Sequence, residues 1–595
     1  SKPIYTATVS KNISLLYRNN DPVSYDIAFL DDNKTISLLP EKELKEYQSY
    51  TVKINDGIKG VKDEVFPGLE VQFTTLSLPL EVNNLIIDGQ DVSESYRIKD
   101  VSFKPTIQIQ LSEKVDISTL QNYTSLTLGS IQYDYNMESL SDTVYSLAVT
   151  ESLPYYRKIT FSISDELYKD SVKEFAGYQK DFFTKLDSTY KYPQISDEEL
   201  LTRIQEQTFK YFWDFGHPVS GLARERNTST ETVTSGGSGF GIMSIIVGIE
   251  RGFITRQQGL DRLQTILDFL ENDADRFHGA FSHWLNGSTG EVKPFSAKDD
   301  GGDLVETAFM IQGLLTFRQY LDSAITAEKT LIDQINRIWE AVEWDWYTQG
   351  EDVLYWHWSP NYGFEKDHEI RGYNETTITY ILAASSPSHS IADSVYHNGY
   401  AKNGGMMNGN DYYGYTLPLG GAYGGPLFFE HYSFLGLDPR NLEDQYASYW
   451  KQAVNHSLIN WAYCKDNPKM YIGYDQDSWG LTASDGNQGY SAHSPTNDRG
   501  VITPTAAISS IPYTPERSMD AIHRFYYLMG DRLWGEYGFH DAFNPTANWY
   551  ADSYIAIDQG PIIIMIENYR TGLLWDLFMS APEIQQGLDK LGFTY

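Results

Sequence analysis

The chain has 595 residues, with 46 Lys and Arg against 80 Asp and Glu, a formal charge of −34. That balance excludes a surface built for nucleic acid or anionic membranes and suits a neutral or cationic ligand. The length calls for two to four domains, and a single cysteine, Cys464, excludes an intrachain disulfide and a cysteine-based zinc site.

Residues 1–187 read as β structure, with short alternating runs such as YTVKI, LEVQFTT, PTIQIQL and KITFSI between polar turns. YTVKINDGIKG…VQFTT (50–75) resembles KITFSISDELYKD…DFFTK (158–185) at an offset of roughly 110 residues. The repeat predicts two β-sandwich modules of immunoglobulin-like type, 1–77 and 78–187. The opening strand of the second, 104–111, has a counterpart that would fall before residue 1, so the first module is expected to be incomplete. SKPIYTATVS carries no signal peptide, which fits a processed or trimmed N-terminus. No run approaches the ~18 apolar residues of a membrane helix. Neither β module holds a cluster of catalytic type, and both read as spacers or docking domains.

LDSTYKYP (186–193) is the predicted linker, after which the apolar period changes from two to about 3.6. Ser196 with Glu199 forms a capping box for one helix, and Thr255 starts another in the same way. Helical patterns follow at 239–252, 303–321, 327–346, near 375–384, and at 442–463, 515–533 and 560–579. The fold class expected is mainly α. Ten to twelve helices over 194–595, joined by long Gly- and aromatic-rich loops, fit an (α/α)6 toroid whose loops build one cleft.

Within KDDGGDLVETAF (298–309), Asp299, Asp303 and Glu306 stand four and three residues apart. The paired glycines 301 and 302 disfavour a continuous helix, so a loop bearing Asp299 followed by a helix from Asp303 is predicted. Crowded carboxylates raise one another's pKa and suit acid and base work. Asp303 and Glu306 read equally as an N-cap and its capping-box partner, a structural device. Four further motifs compete. ERNTSTETVTSGGSGFG (225–241) is a glycine-rich loop leading into a helix, without the Lys-Ser/Thr ending of a phosphate loop. HGAFSHWLNGSTGEVKPFS (278–296) offers His283 and Trp284. In HEIRGYNETTITYILA, Glu375 opens a helix behind Asn374 and needs burial or carboxylate neighbours to stay protonated near neutral pH. In SYIAIDQGPIIIMIENYRTGLLWDLFM, Asp558 precedes a helix start at 560–561. No HExxH, calcium-loop spacing or G-x-S-x-G elbow occurs, so neither a metal nor a serine nucleophile is predicted.

Aromatics make up 14 % of the chain, including 44 Tyr and 13 Trp. Many lie beside Gly, Asn, Asp and His in HWL, YWHWSPNYGF, NDYYGY and FFEHYSF, the mixture of flat faces and short dipoles that binds sugars. Trp358, Arg371, Tyr373, Glu430, His431 and Tyr432 join His283 and Trp284 as candidate substrate contacts.

KDDGGDLVETAF, RGYNETT, PLFFEHYSFLGLDPR and IDQGPIIIMIENYRTGLLWDLFM, in this order across 196–595, resemble the bacterial glucoamylase-like proteins of glycoside hydrolase family 144. Those enzymes hydrolyse β-1,2-glucans on an (α/α)6 fold. The resemblance implies Asp299, Asp303, Glu306 and Glu375 as functional acids, an inverting mechanism, no cofactor, and a neutral β-1,2-glucan cut to short products such as sophorose. The chemistry needs one protonated carboxyl at the leaving oxygen and one carboxylate on water. Glu375 is the expected acid, Asp303, Asp299 or Asp558 orients the water, and Glu306 tunes a neighbour or binds a hydroxyl. The alternatives are a hydrolase of a β-1,3- or α-1,4-glucan, and a polysaccharide lyase that would need Arg224, Arg226 or Arg371 to neutralise a uronate. A third is a glycan-binding protein without turnover. An exported monomer, periplasmic or at the cell surface, completes the expectation; exo and endo action stay open.

Overall fold

The computed structural model describes residues 2–18, 20–76, 78–168 and 174–595. Backbone packing divides the chain into two units, 1–155 with 159–185, and 156–158 with 186–595.

The first unit is β-rich. Strands 13–17, 49–54 and 69–74 run antiparallel, with 21–22 at the edge, and 25–30 pairs with 35–40 as a hairpin. Its core is small, centred on Val9, Ile13 and Ile58. Beyond it, two five-stranded sheets form: 135–139, 144–149, 106–111, 82–87 and 90–91 in one, 131–132, 124–128, 158–163, 178–184 and 98–101 in the other. Period-two patterning does the work here. Ile107, Ile109 and Leu111 are buried on one sheet and Ile159, Phe161 and Ile163 on the other, and together they make one core. Both copies of the repeat form neighbouring strands, 49–54 beside 69–74 and 158–163 beside 178–184; residues 169–173 of the second copy lie outside the described residues. Helix α1 (Ile117–Tyr123) is capped by Asp116, which accepts from Thr119 N at 2.9 Å.

The second unit is helical. In chain order its helices are α2 (Asp197–Trp213), α3 (Ser235–Glu250), α4 (Arg256–Asn272), α5 (Leu304–Tyr320), α6 (Thr326–Glu340) and α7 (Thr377–Ser385). They continue with α8 (Tyr449–Asp466), α9 (Pro504–Ser509), α10 (Pro515–His523), α11 (Gly530–Leu533), α12 (Ala556–Arg570), α13 (Leu573–Met579) and α14 (Pro582–Leu591). Capping boxes start α2 at Ser196–Glu199 and α4 at Thr255–Gln258. Helices α3, α5, α7, α9 and α12 are buried almost throughout, whereas α2, α4, α6, α10 and α14 bury one face only. Among them α3 packs on α5 and α12, α5 on α7, and α12 on α9 and α2. No helix among the described residues is long and apolar enough to cross a membrane.

Two departures from the sequence expectation have causes in packing and pairing. The glycine-rich segment 235–238, expected as loop ahead of the helical pattern at 239–252, is the first turn of α3. Helix propensity disfavours it there by about 1 kcal/mol per glycine; close packing overrides propensity. A Cβ on Gly239 would overlap the carbonyl of Phe309 on α5, and one on Gly313 would overlap the carbonyl of Gly239, so the two helices cross glycine to glycine. The helix expected from Leu442 begins only at Tyr449, because Glu443 bridges to Ser448 and Thr594 instead.

Candidate functional site

A cavity of about 650 Å³ opens within the helical unit, and the carboxylates at its wall are placed by helix starts. Asp303 is the N-cap of α5: its Oδ1 accepts from the backbone N–H of Val305 and Glu306, both at 3.0 Å. Its backbone pairs with His357, and a Cβ at Gly301 or Gly302 would collide with the Trp358 carbonyl or the Tyr347 hydroxyl, so the glycines admit this close pairing. Oδ2 of Asp303 meets His283 Nδ1 at 2.9 Å. One turn along α5, Glu306 Oε2 accepts from Gly236 N at 2.7 Å and from Thr234 Oγ1 at 3.3 Å, the first turn of α3. A Cβ on Gly236 would lie 2.5 Å from that oxygen, which is why the turn begins with glycine. Oε1 of Glu306 is left with His283 Nε2 at 4.0 Å.

His283 thus stands between two acids. Burial by itself lowers its pKa, but the charge of Glu306 and the hydrogen bond and charge of Asp303 outweigh it and lift the imidazole to about 9, so it is cationic at neutral pH. Its ring stacks on Phe295 at 4.1 Å, with Trp284 edge-on to the same Phe295. The small sheet of 232–234, 284–286 and 292–293 fixes this rim.

Glu375 lies just ahead of α7, after Asn374 and before the N-cap Thr376, rather than in the helix as its motif suggested. It is half-buried at the cavity wall. Burial raises its pKa to about 7; a backbone hydrogen bond opposes this, and Glu306 and Asp303 add to it. Glu306 is raised as well, chiefly by burial, against the pull of His283. The cavity therefore brings a carboxyl that keeps its proton near neutrality together with two acidic side chains that accept from backbone N–H groups, residue types that acid–base catalysis uses.

The structure brings Glu375, Asp303, Glu306, His283, Trp284 and Tyr432 to the cavity wall. It places the remaining candidates behind it. Asp299 is buried in the turn before the glycines, 3.1 Å from His357 Nε2 and 3.9 Å from Lys366 Nζ, backing the strand that pairs with Asp303. Asp558 lies in the first turn of α12, which starts at Ala556 rather than at 560. Buried against Asp541, it is raised well above the carboxylate range, and Asp541 is raised to about 7, each first by burial. Trp358 packs edge-on to His278, 4.8 Å away, and Arg371 is paired with Glu369. Tyr373 and Glu430 are buried and bonded to each other at 2.6 Å, and His431, bonded to Ser510 and lowered to about 3 by burial, is neutral.

Among the cavity residues that escaped the sequence reading, six bear titratable or aromatic side chains at its wall: Glu225, Phe295, Trp356, His368, Phe428 and Tyr490, beside Phe309 of the acid motif itself. Five of the six stood inside motifs already singled out. Tyr490 sits on the 485–490 loop, for which no spacing rule exists. Arg226, at the same wall, is engaged by Glu225 and by Asp485 at 3.2 Å.

A helical unit whose cavity carries this set of acids among aromatic rings belongs to the class of glycan-handling enzymes, and comparison with known proteins narrows it. Residues 367–582 match the family model described as "Putative glucoamylase", and residues 1–75 match one described as "Bacterial Ig-like domain". The endo-β-1,2-glucanase of Chitinophaga pinensis, solved with sophorotriose and glucose, is 56% identical, with a TM-score of 0.66 over 68% of this chain and 99% of that one. A β-1,2-glucanase from Parabacteroides distasonis is 35% identical, with a TM-score of 0.65 over 98% of this chain and 85% of that one. The exo-β-1,2-glucooligosaccharide sophorohydrolase (non-reducing end) of Parabacteroides distasonis is 47% identical over 427 residues, 68% of this chain. The chain spans 59% of that curated relative's length. The chain belongs to the bacterial glucoamylase-like family, glycoside hydrolase family 144, and carries an Ig-like module at its N-terminal end.

Proposed function

We propose that this protein hydrolyses β-1,2-glucan to short gluco-oligosaccharides such as sophorose, with inversion at the anomeric carbon. One observation carries the proposal: Glu375, its pKa lifted to about 7, shares an aromatic-lined cavity with Asp303 and Glu306. Glu375 is the general acid at the glycosidic oxygen. Asp303 is committed to two backbone N–H groups and to His283, whereas Glu306 keeps Oε1 clear of the backbone and is the carboxylate that activates water. Trp284, Phe295 and Tyr490 give glucose rings faces to lie on.

A lyase fits less well, because the charge of Arg226 is spent on Glu225 and Asp485 and that of Arg371 on Glu369. The (α/α)6 toroid is the architecture we assign to the helical unit. Alternation of fully buried helices with one-faced ones supports it, as does the packing of α12 back onto α3. An exported monomer remains the proposed state.

The test is hydrolysis of β-1,2-gluco-oligosaccharides followed by proton NMR. An α-anomer appearing first is the expected result, and a β-anomer first means retention. Turnover of a β-1,3- or α-1,4-glucan with none of β-1,2-glucan would refute the substrate.

A further inference from the structure

Behind the cavity wall lies a buried polar network that touches no part of the cavity. Glu430, on the turn Leu427–Glu430, is fully buried. Its Oε1 accepts from Gln452 Nε2 at 2.9 Å and meets His456 Nδ1 at 2.8 Å, both on one face of α8, and its Oε2 accepts from the Tyr373 hydroxyl at 2.6 Å. The other ring nitrogen of His456 faces the carbonyl of Gly425 at 3.1 Å. Both imidazole nitrogens thus face acceptors, Glu430 Oε1 on one side and the Gly425 carbonyl on the other. The cradle is specific, since a Cβ on Gly424 would overlap the His456 ring. A second tie comes from Ser433, whose Oγ donates to the carbonyl of Glu375 itself and accepts from Ile378 N at 3.0 Å. The segment 373–378 is therefore gripped two residues before Glu375, at Glu375 and three residues after it.

We infer that the Glu430–His456 pair, acting through Tyr373, together with Ser433, sets the depth at which Glu375 meets the substrate, making these four positioning residues for proton delivery. The inference rests on Glu375 being the general acid. Removing one member of a buried polar network of this kind costs more than its hydrogen bonds suggest, since each lost partner leaves another group unsatisfied. Glu430, His431 and Tyr432 share one motif, yet only Tyr432 lines the cavity; the motif is mostly a support.

The test uses the full chain, with Tyr373→Phe, Glu430→Gln and, as reference, Glu375→Gln, assayed on linear β-1,2-gluco-oligosaccharides across pH. Glu306 and Asp303, and the Tyr400 and Tyr432 hydroxyls, also face Glu375, and none of them is altered. Loosening the segment lets water reach Glu375, so its pKa falls toward the ordinary carboxylate value. The expected result is a kcat lowered on the order of ten- to a hundredfold, a nearly unchanged KM, and an alkaline limb moved to lower pH. A folded Tyr373→Phe or Glu430→Gln whose alkaline limb stays in place overturns the inference, whatever its kcat. Should either variant fail to fold, the other and Ser433→Ala report the same limb. Substantial activity in Glu375→Gln would instead refute Glu375 as the acid, a separate failure.

Discussion

At the residue scale, burial lifts Glu375 to about 7, so that it holds a proton close to neutrality. Glu375→Gln should lose activity by 10²–10⁴-fold, the worth of a general acid, in a kcat measurement on β-1,2-gluco-oligosaccharides. The wild-type alkaline limb should fall near pH 7, where Glu375 loses its proton. Stability follows the same group. Its folded pKa lies above the unfolded value, so the folded state binds more protons between roughly pH 4.5 and 7 and stability falls as pH rises through that window. Thermal melts should therefore show Glu375→Gln gaining on wild type at pH 8 relative to pH 4. Asp303 separates its two duties by substitution. Asp303→Ala removes the cap of α5 and should cost roughly 1–2 kcal/mol in a urea melt. Asp303→Asn keeps a capping oxygen but loses the charge facing His283. The raised pKa of His283 makes that pair's stabilisation complete below about 6.5 and lost as pH rises through about 9. The Asn variant should flatten that dependence.

At the scale of elements, the crossing of α3 and α5 holds the site together, since Asp303 and Glu306 ride on one helix and Gly236 on the other. Gly239→Ala puts two magnitudes in opposition. Alanine favours the helix by about 1 kcal/mol. The new methyl, however, would overlap the Phe309 carbonyl, a backbone atom in a helix buried on all sides, and overpacking of this kind costs about 1–3 kcal/mol or more. The overlap wins. A net loss of up to about 2 kcal/mol is expected in chemical denaturation, with activity falling because Glu306 shifts with its helix.

At the scale of the whole molecule, every residue lining the cavity falls between 225 and 557, inside the helical unit. A chain beginning at 186 should fold and retain turnover. It should also melt a few degrees lower, because residues 156–158 pack with the helical unit and Tyr156 is buried there, its hydroxyl accepting from Arg524 at 3.3 Å. A soluble, folded but inactive truncation would show that the β-rich unit completes the site.

What the sequence determined by itself was whatever is written in local spacing. The period of two in PTIQIQL and KITFSI named the strands, the Ser196 and Thr255 capping boxes marked helix starts, and the four-and-three spacing around Asp303 announced both a cap and an acid cluster. Motif order sufficed for the family. Only the tertiary structure decided which acids line the cavity. Asp299, two residues before the paired glycines, looks as eligible as Asp303, yet the turn sets it against His357 and it does not line the cavity. Glu430 and Tyr373 carry the residue types of a sugar site and are sealed against α8. SGGSG reads as a loop because glycine propensity is a local quantity, while the helix it forms depends on the Phe309 carbonyl some 70 residues away. The pKa of Glu375 has the same origin: burial and the neighbouring charges of α5 set it, and no spacing within RGYNETT records either.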